Sequence, residues 1–337
     1  MSHRVVTEIF QFVDSFVDNV VDKSTGISTT TRKITVIFNS VAGNRNDALL
    51  HDVVAALRDR GLEVSIVGTT GPGSATQLAA EAVRTGADVV VAAGGDGTIN
   101  EVVSGMIGSD IPVGIIPMGT ANVLALELNL SRRATDIADV ISAGTVRRLH
   151  LAGVNGRRFL LMVGAGFDGE VVHSITAEMK RRWGKYAFVL QGMRAILANP
   201  THTLTIEIDG AQLPASWAVV TNIAHYGGPY TLMPQADPGA AMLSTVLFRN
   251  AGRLAMCANL LRIGLGIASR TKSVTVIHSR SVCICSPGYE TVPVQIDGDA
   301  AGKLPVRIEA TDQFVKVLSP VAMCRPLKVS ATELHNR

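Results

Sequence analysis

Apolar positions follow two different rhythms along this chain. Up to about residue 145, short runs of branched apolar residues alternate with stretches at helical spacing. Ile34 to Phe38, Glu63 to Val67, Asp88 to Ala93 and Ile111 to Ile116 read as strands. Leu49, Leu50, Val53, Val54 and Leu57 mark a helix ended by Gly61. Ser74 is placed to cap a helix running through Arg84. Ile99, Val102, Val103, Met106 and Ile107 share one face of a third helix. Strands alternating with helices imply a parallel sheet, and in such sheets ligands sit beyond the carboxyl ends of the strands.

From residue 146 the rhythm changes to short strands separated by turn signals. Arg147 to Ala152 and Arg157 to Val163 flank Asn155-Gly156, a hairpin signal. Thr203 to Ile208 runs into Asp209-Gly210, and further strands are expected near 216–222, 242–248, 272–278, 281–286, 292–297, 304–310 and 313–318. Helical patches fall near 186–198 and 251–268. The expected organisation has three parts. Residues 1–32 form an amphipathic extension and linker, with a stripe from Val5 to Val21 and acids at Glu8, Asp14, Asp18 and Asp22. Residues 33–145, joined by the tail at about 319–337, form an α/β domain, and residues 146–318 a mainly antiparallel β domain. A ligand cleft between the two is the natural expectation.

Composition narrows this picture. A 337-residue chain that is 47% hydrophobic can fill two cores. A net charge of +3 is too mild to argue for nucleic acid. No apolar run reaches the roughly 18 residues of a membrane span, and no secretory pattern opens the chain. The four cysteines, Cys257, Cys283, Cys285 and Cys324, lack metal spacing, and Cys283 and Cys285 would share one strand face, packed in the core. A reduced, cytoplasmic protein is expected.

The chemistry centres on Gly94-Gly95-Asp96-Gly97-Thr98-Ile99-Asn100-Glu101, a glycine-rich bend between strand and helix. Glycines let a ligand approach the main chain, and a helix start suits phosphate. Asp96 suggests work on a metal or a proton. As a purely structural alternative, Thr98 and Glu101 fit a capping box. Further stretches are Asn39-Ser40-Val41-Ala42-Gly43 after the first strand, Thr69 after the second, Pro117-Met-Gly119-Thr120-Ala-Asn122, Val163-Gly-Ala-Gly-Phe-Asp168, Met233-Pro-Gln-Ala-Asp237 and Gln295-Ile-Asp297-Gly-Asp299. Asp168 is placed to cap the helix that follows it. Lys180-Arg-Arg-Trp-Gly-Lys-Tyr186 mixes cations with aromatics, fitting either an anionic membrane surface or a solvated helix end.

Together, in this order over residues 33–320, these stretches resemble the diacylglycerol kinase and sphingosine kinase catalytic-domain family. Gly-Gly-Asp-Gly-Thr is a core shared with NAD kinases and phosphofructokinases. The resemblance implies an NAD kinase-like or phosphofructokinase-like parallel-sheet domain followed by a β-sandwich-like domain. It implies a lipid kinase that uses ATP and Mg²⁺ to phosphorylate a hydroxyl of a diacylglycerol- or sphingoid-like lipid, working at the membrane from the cytoplasmic side. A homodimer is compatible with it. Asn39 to Gly43, Thr69, Gly94 to Thr98, Asn100, Glu101, Gly119, Thr120 and Asn122 would face the nucleotide, Asp96 also its Mg²⁺, and Asn122 would pin the two glycine loops together. Asp297 or Asp299 would take the hydroxyl proton. The chain departs from the family pattern at Ser40 for proline, Val123 for aspartate and Asp299 for glutamate. Pro238 and Ser244 stand where acids complete a structural Mg²⁺ site, so Asp237 would hold that ion weakly or not at all. An NAD kinase-like enzyme with a soluble acceptor, and a nucleotide-binding regulator without turnover, are the alternatives.

Overall fold

Four parallel strands carry the first half of the chain: β1 (Lys33–Phe38), β2 (Glu63–Gly68), β3 (Val89–Gly94) and β4 (Val113–Pro117), in the order β2-β1-β3-β4. The computed structural model describes residues 31–39, 47–198, 202–288 and 291–320. The amphipathic stripe at the start, Ser40, Val41, Ala42 and Gly43, and the tail beyond Pro320 lie outside the described residues. β3 is buried along its whole length because it has a layer on each face. Val89, Val91 and Ala93 pack on one side with Leu50, Val53 and Leu57 of α1 (Asp47–Asp59) and with Ile137 and Ile141 of α5 (Ala134–Ala143). Val90 and Ala92 face the opposite layer, where Ala75, Ala79 and Ala82 of α2 (Ser74–Arg84) meet Ile99, Val102 and Val103 of α3 (Asp96–Gly105). Alanines on α2 let α3 come close. A Cβ on Gly105 would stand 2.2 Å from the Thr76 carbonyl oxygen.

The second half is a sandwich. One layer continues the first sheet beyond β4 through β18 (Val306–Ser319), β15 (Ser281–Cys285), β8 (Leu204–Ile208) and β9 (Ala211–Ala215). β5 (Thr145–Val154) also pairs with β18, and with β6 (Arg157–Phe159). The other layer is a six-stranded sheet in the order β14 (Val274–Ser279), β13 (Leu243–Phe248), β10 (Trp217–Thr221), β7 (Met162–Ala165), β16 (Pro293–Ile296) and β17 (Asp299–Lys303), antiparallel throughout. Val154, Phe159, Ile206, Val220, Leu247, Ile284, Val294 and Ile308 fill the space between the layers. A hairpin of β11 (His225–Tyr226) and β12 (Tyr230–Thr231) stands apart. Helices α6 (Phe167–His173), α7 (Ala177–Trp183), α8 (Lys185–Ala198) and α9 (Arg253–Gly264) complete this half. The α/β character and the antiparallel second half agree with the sequence expectation.

Four local expectations fail for identifiable reasons. The run from Arg157 to Val163 is two strands, because the amides of Leu160, Leu161 and Met162 turn aside to a carboxylate, Asp297. The two strands expected at 304–310 and 313–318 are one, β18, with an irregularity between Ala310 and Phe314. It pairs antiparallel with β15 near its start and parallel with β4 at Val317 and Val113, so a single strand belongs to both halves. Strand β17 has no apolar pattern to reveal it, being Asp-Ala-Ala-Gly-Lys at an exposed edge. On β15 the buried positions are Val282 and Ile284, so Cys283 and Cys285 share the face turned away from the core. Among the described residues no helix is long and apolar enough to cross a membrane.

Gly105 and Gly97 give a paired test of the α2–α3 contact. Both lie in α3, yet a Cβ on Gly97 would meet nothing within 4 Å. Gly105→Ala is expected to cost about 1–3 kcal/mol through forced separation of the helices. Gly97→Ala should be near neutral or slightly stabilising. Equal melting temperatures for the two variants would show that the helices are not in the close contact described.

Candidate active site

The strand order reverses direction between β1 and β3, and the crevice at their carboxyl ends is where an open parallel sheet presents a ligand site. Asn39 leaves β1 there. Its amide donates to the Ala93 carbonyl, and its side-chain Nδ2 donates to Thr98 Oγ1 at 3.0 Å, spanning the crevice. Thr69, after β2, lies beside it, with its amide on the Phe38 carbonyl. Gly94 and Gly95 end β3, and Gly119 follows β4. These two turns touch main chain to main chain. A Cβ on Gly119 would lie 2.4 Å from the Gly95 Cα, and one on Gly94 would strike the Thr98 side chain at 2.5 Å. Glycine is required at each for that reason. The residue before α3 is Gly95, which has no side chain to cap it, and Gly97 in the first turn is exposed and open above. First-turn amides at a positive helix end are the kind of donor set that a phosphate group needs. The residues present therefore fit a nucleotide tail.

The acids of the glycine stretch also serve helix starts. Asp96 accepts the Val123 and Leu124 amides at 3.1 Å each, capping α4 (Val123–Glu127) and pinning the second glycine turn to the first. That is the role the sequence suggested for Asn122. Asn122 is instead held at φ 49° and clasps its own turn, accepting the Gly119 amide and donating to the Gly119 carbonyl. Glu101 accepts the amides of Gly73 and Ala75 and so caps α2. The capping box with Thr98 is not formed, because Glu101 points to the neighbouring helix. Ser74 likewise closes the preceding turn, accepting from Thr70 and Gly71. Thr120 is exposed, close to Gly184 at the start of α8.

Against the first turns of α3, the β-rich half contributes the turn between β16 and β17. Asp297 sits at its tip with φ 51°. Its Oδ2 accepts from Asn100 Nδ2 at 2.8 Å and from the Leu160 amide at 2.9 Å. Its Oδ1 accepts from the amides of Leu161 at 2.8 Å and Met162 at 3.0 Å. Four donors fill the four lone-pair directions of the carboxylate. Burial, with a smaller contribution from the negative Asp96, lifts the Asp297 carboxyl to about 6, against the pull of the three amides. Asp299, two residues on, is exposed at the start of β17. The two acids that the sequence treated as a pair thus occupy different environments. A second clasp between the halves went unread in the sequence. Glu127 of α4 accepts the Ala224 and His225 amides and lies 2.6 Å from His225 Nδ1.

Asp168 does not cap α6. The residue before that helix is Gly166, with φ 85° and no side-chain cap. Asp168 is buried beneath the turn, where it accepts the Tyr226 hydroxyl and the Gln295 amide. Gln295 Oε1 in turn accepts the Gly298 amide at 2.8 Å. A buried chain therefore runs from Asp168 through Gln295 to the residue between Asp297 and Asp299. Gln295 was visible in the motif, but only the fold shows what it holds. Asp237 accepts the Gly239 amide of its own turn, and Ser244 is buried beside His278. Among the described residues no three His, Cys, Asp or Glu side chains gather as a metal cluster.

Residues 33–154 match the diacylglycerol kinase catalytic domain model, and residues 161–319 match the YegS C-terminal NAD kinase beta sandwich-like domain. The chain belongs to the diacylglycerol kinase catalytic-domain family. Its two matched segments are the parallel-sheet half and the sandwich half described above. Among its relatives, a diacylglycerol kinase of Bacillus subtilis (strain 168) is 28% identical over 298 residues, covering 86% of this chain and 97% of the relative. One from Staphylococcus aureus (strain MRSA252) is 28% identical over 300 residues, covering 86% and 93%. A solved structure from Bacillus anthracis str. Sterne, described as a candidate diacylglycerol kinase, superposes with a TM-score of 0.72 at 23% identity over 89% of this chain and 99% of that one. That likeness bears on the fold, and the sandwich of the second half agrees with it.

Asp168 gives a pH test. Burial raises its carboxyl from 3.8 to about 6, against the lowering by its hydrogen bonds. The folded chain therefore keeps the proton that the unfolded chain releases. The associated stability is full below about pH 4 and is lost as pH rises through about 6. Asp168→Asn cannot ionise, so its stability relative to wild type should increase by on the order of 2–3 kcal/mol from about pH 4 to about pH 7. Urea denaturation of both proteins at the two pH values measures this. A constant difference would place the ionised carboxylate at no disadvantage in the fold.

Proposed function

We propose that this protein is an ATP- and magnesium-dependent lipid kinase that transfers the γ-phosphoryl group to a free hydroxyl of a diacylglycerol-like lipid. The observation that carries this reading is the Asn100–Asp297 hydrogen bond. It brings the turn bearing Asp299 against the first turns of the helix that begins at the glycine bend. A phosphate donor on the glycine turns and a hydroxyl beside Asp299 would then face each other across one cleft. Relatives named diacylglycerol kinase along nearly their full length support the choice of acceptor.

The amides at the start of α3 and the Gly119 turn would hold the phosphates, and Asn39 would close the crevice beside them. Asp96 is the residue that would meet a magnesium ion, shared with phosphate oxygens as this hard ion prefers. Bound there, magnesium supplies charge neutralisation for the phosphates. Asp297 is the anchor rather than the base, since its lone pairs are already directed at four donors. Asp299 would accept the hydroxyl proton as the lipid oxygen bonds to phosphorus and the bond to ADP breaks. Its short side chain places the carboxylate about one methylene back from the reach of a glutamate, a distance that matters in a positioned reaction.

Two measurements test this. Purified protein given γ-labelled ATP with diacylglycerol, sphingosine or NAD in separate reactions should label diacylglycerol. Label on NAD alone would remove the lipid reading. Tight ATP binding with no acceptor labelled would favour a regulator without turnover, which the shortened Asp299 motivates. Asp299→Asn should lower transfer by at least about a hundredfold with melting temperature and ATP binding unchanged, and Asp299→Glu should restore it. Asp297→Asn should instead lose stability by about 2–4 kcal/mol, because its new N–H₂ confronts amide donors. Loss of transfer in Asp297→Asn with an unchanged melting temperature, alongside full activity in Asp299→Asn, would reverse the two assignments.

A further inference from the structure

Helix α8 is built the wrong way round for a helix in water. Its buried positions are Ala187, Gln191 and Ala195, so its one side-chain amide faces inward. Its outward stripe is Tyr186, Val189, Met193 and Leu197, each 59–65% exposed. Those residues recur at intervals of three and four, which aligns them along one face over the whole helix. Helix α9 packs beside α8 and repeats the pattern, with Leu254 88% and Leu261 64% exposed, seven residues apart. Neither helix contains a carboxylate, whereas together they carry Lys185, Arg194, Arg253 and Arg262. Arg194 and Arg253 are exposed, and Arg262 reaches Asn259 on its own helix. Apolar stripes of this kind mark an interaction surface.

We propose that the outer face of α8 and α9 docks on an anionic lipid bilayer, with the apolar stripes entering the boundary between headgroups and chains. This inference rests on the lipid-acceptor reading for its purpose, but not for its physical basis. Charge selects the partner. A two-fold contact with a second copy would set cations against identical cations with no acid on either face to pair them. Anionic headgroups supply the missing charge, and an apolar face with cations among it is the composition of interfacial helices. Position supports the same partner. Gly184, immediately before α8, is so near the second glycine turn that its Cβ would lie 3.4 Å from the Thr120 methyl. The stripe therefore begins beside the candidate active site, and a bilayer against it would present lipid hydroxyls near that cleft.

The test uses the full chain without nucleotide. Co-sedimentation with phosphatidylglycerol–phosphatidylcholine vesicles should capture the wild type, and pure phosphatidylcholine vesicles should capture much less. The triple substitution Val189→Ser, Met193→Ser, Leu197→Ser should reduce capture by at least about tenfold, with an unchanged melting temperature because these side chains are exposed. Arg194→Glu with Arg253→Glu should reduce it by about tenfold on anionic vesicles only. Transfer to a short-chain, water-dispersed diacylglycerol should persist in both variants. This separates failure of docking from failure of the kinase reading, because capture is measured without catalysis. Wild-type capture by the triple variant, equal capture by neutral vesicles, or a dimer in sedimentation velocity that the triple substitution dissociates would each overturn the proposal.

Discussion

One carboxylate, Asp297, ties the two halves of this chain together at the candidate site. Asp297 stands at a positive-φ turn of the sandwich and gathers three consecutive amides from its own half and one side-chain amide from the parallel-sheet half. Hydrogen bonds to a charged acceptor are among the stronger ones in a protein, and leaving a buried carboxylate short of donors is costly. Many other features of the cleft follow from this arrangement. The chain must break strand between Phe159 and Met162 to offer its amides. Asn100 must sit one turn into α3 to reach across. The β16–β17 turn is thereby held against the helix that follows the glycine bend, with an exposed acid, Asp299, two residues on from Asp297.

The same economy recurs with other acids around the site. Asp96 caps α4, Glu101 caps α2, and Glu127 clasps the 224–225 turn. Each places negative charge on main-chain amides, where a helix start or a tight turn leaves donors unpaired. The helix that follows the glycine bend, α3, begins after Gly95, which has no side chain to cap it. Gly97 in its first turn is exposed with nothing near its Cβ position, which leaves the amides of that helix start open to an external anion. Glycine does the rest, because the contact of Gly95 with Gly119 leaves no space for side chains that would shield those amides.

Much of the fold was legible because it rests on local pattern. Buried parallel strands announce themselves as short apolar runs, and α1, α2 and α3 as helical spacing. The site loops were legible as glycine clusters at strand ends. What failed was long-range. Nothing in the run Phe159-Leu-Leu-Met162 shows that its amides serve an aspartate 135 residues or more away. Asp168 has the position of a helix cap in sequence, but its side chain turns inward to Tyr226 and Gln295. Glu101 fits a capping box by spacing, yet the positive end of α2 lies closer to it than its own helix start. In the last two cases a carboxylate was assigned to the nearest donors along the chain, and the fold supplied nearer ones in space. Strand β17 was missed for a different reason, since an exposed edge strand need not alternate.

The chain from Asp168 to Gln295 to Gly298 explains why a buried acid belongs in a motif at the junction of the halves. A turn tipped by a positive-φ aspartate would be poorly fixed by its own backbone. Gln295 pins the amide of the intervening glycine, and Asp168 together with Tyr226 fixes Gln295 from below. Burial of a carboxyl group opposes its ionisation, which is the cost of this arrangement. What the arrangement secures is direction. With Asp297 held by four donors and Gly298 by one, the residue after them leaves the turn along a set path. The position of Asp299 is thus set by the hydrogen bonds that its neighbours in the turn make.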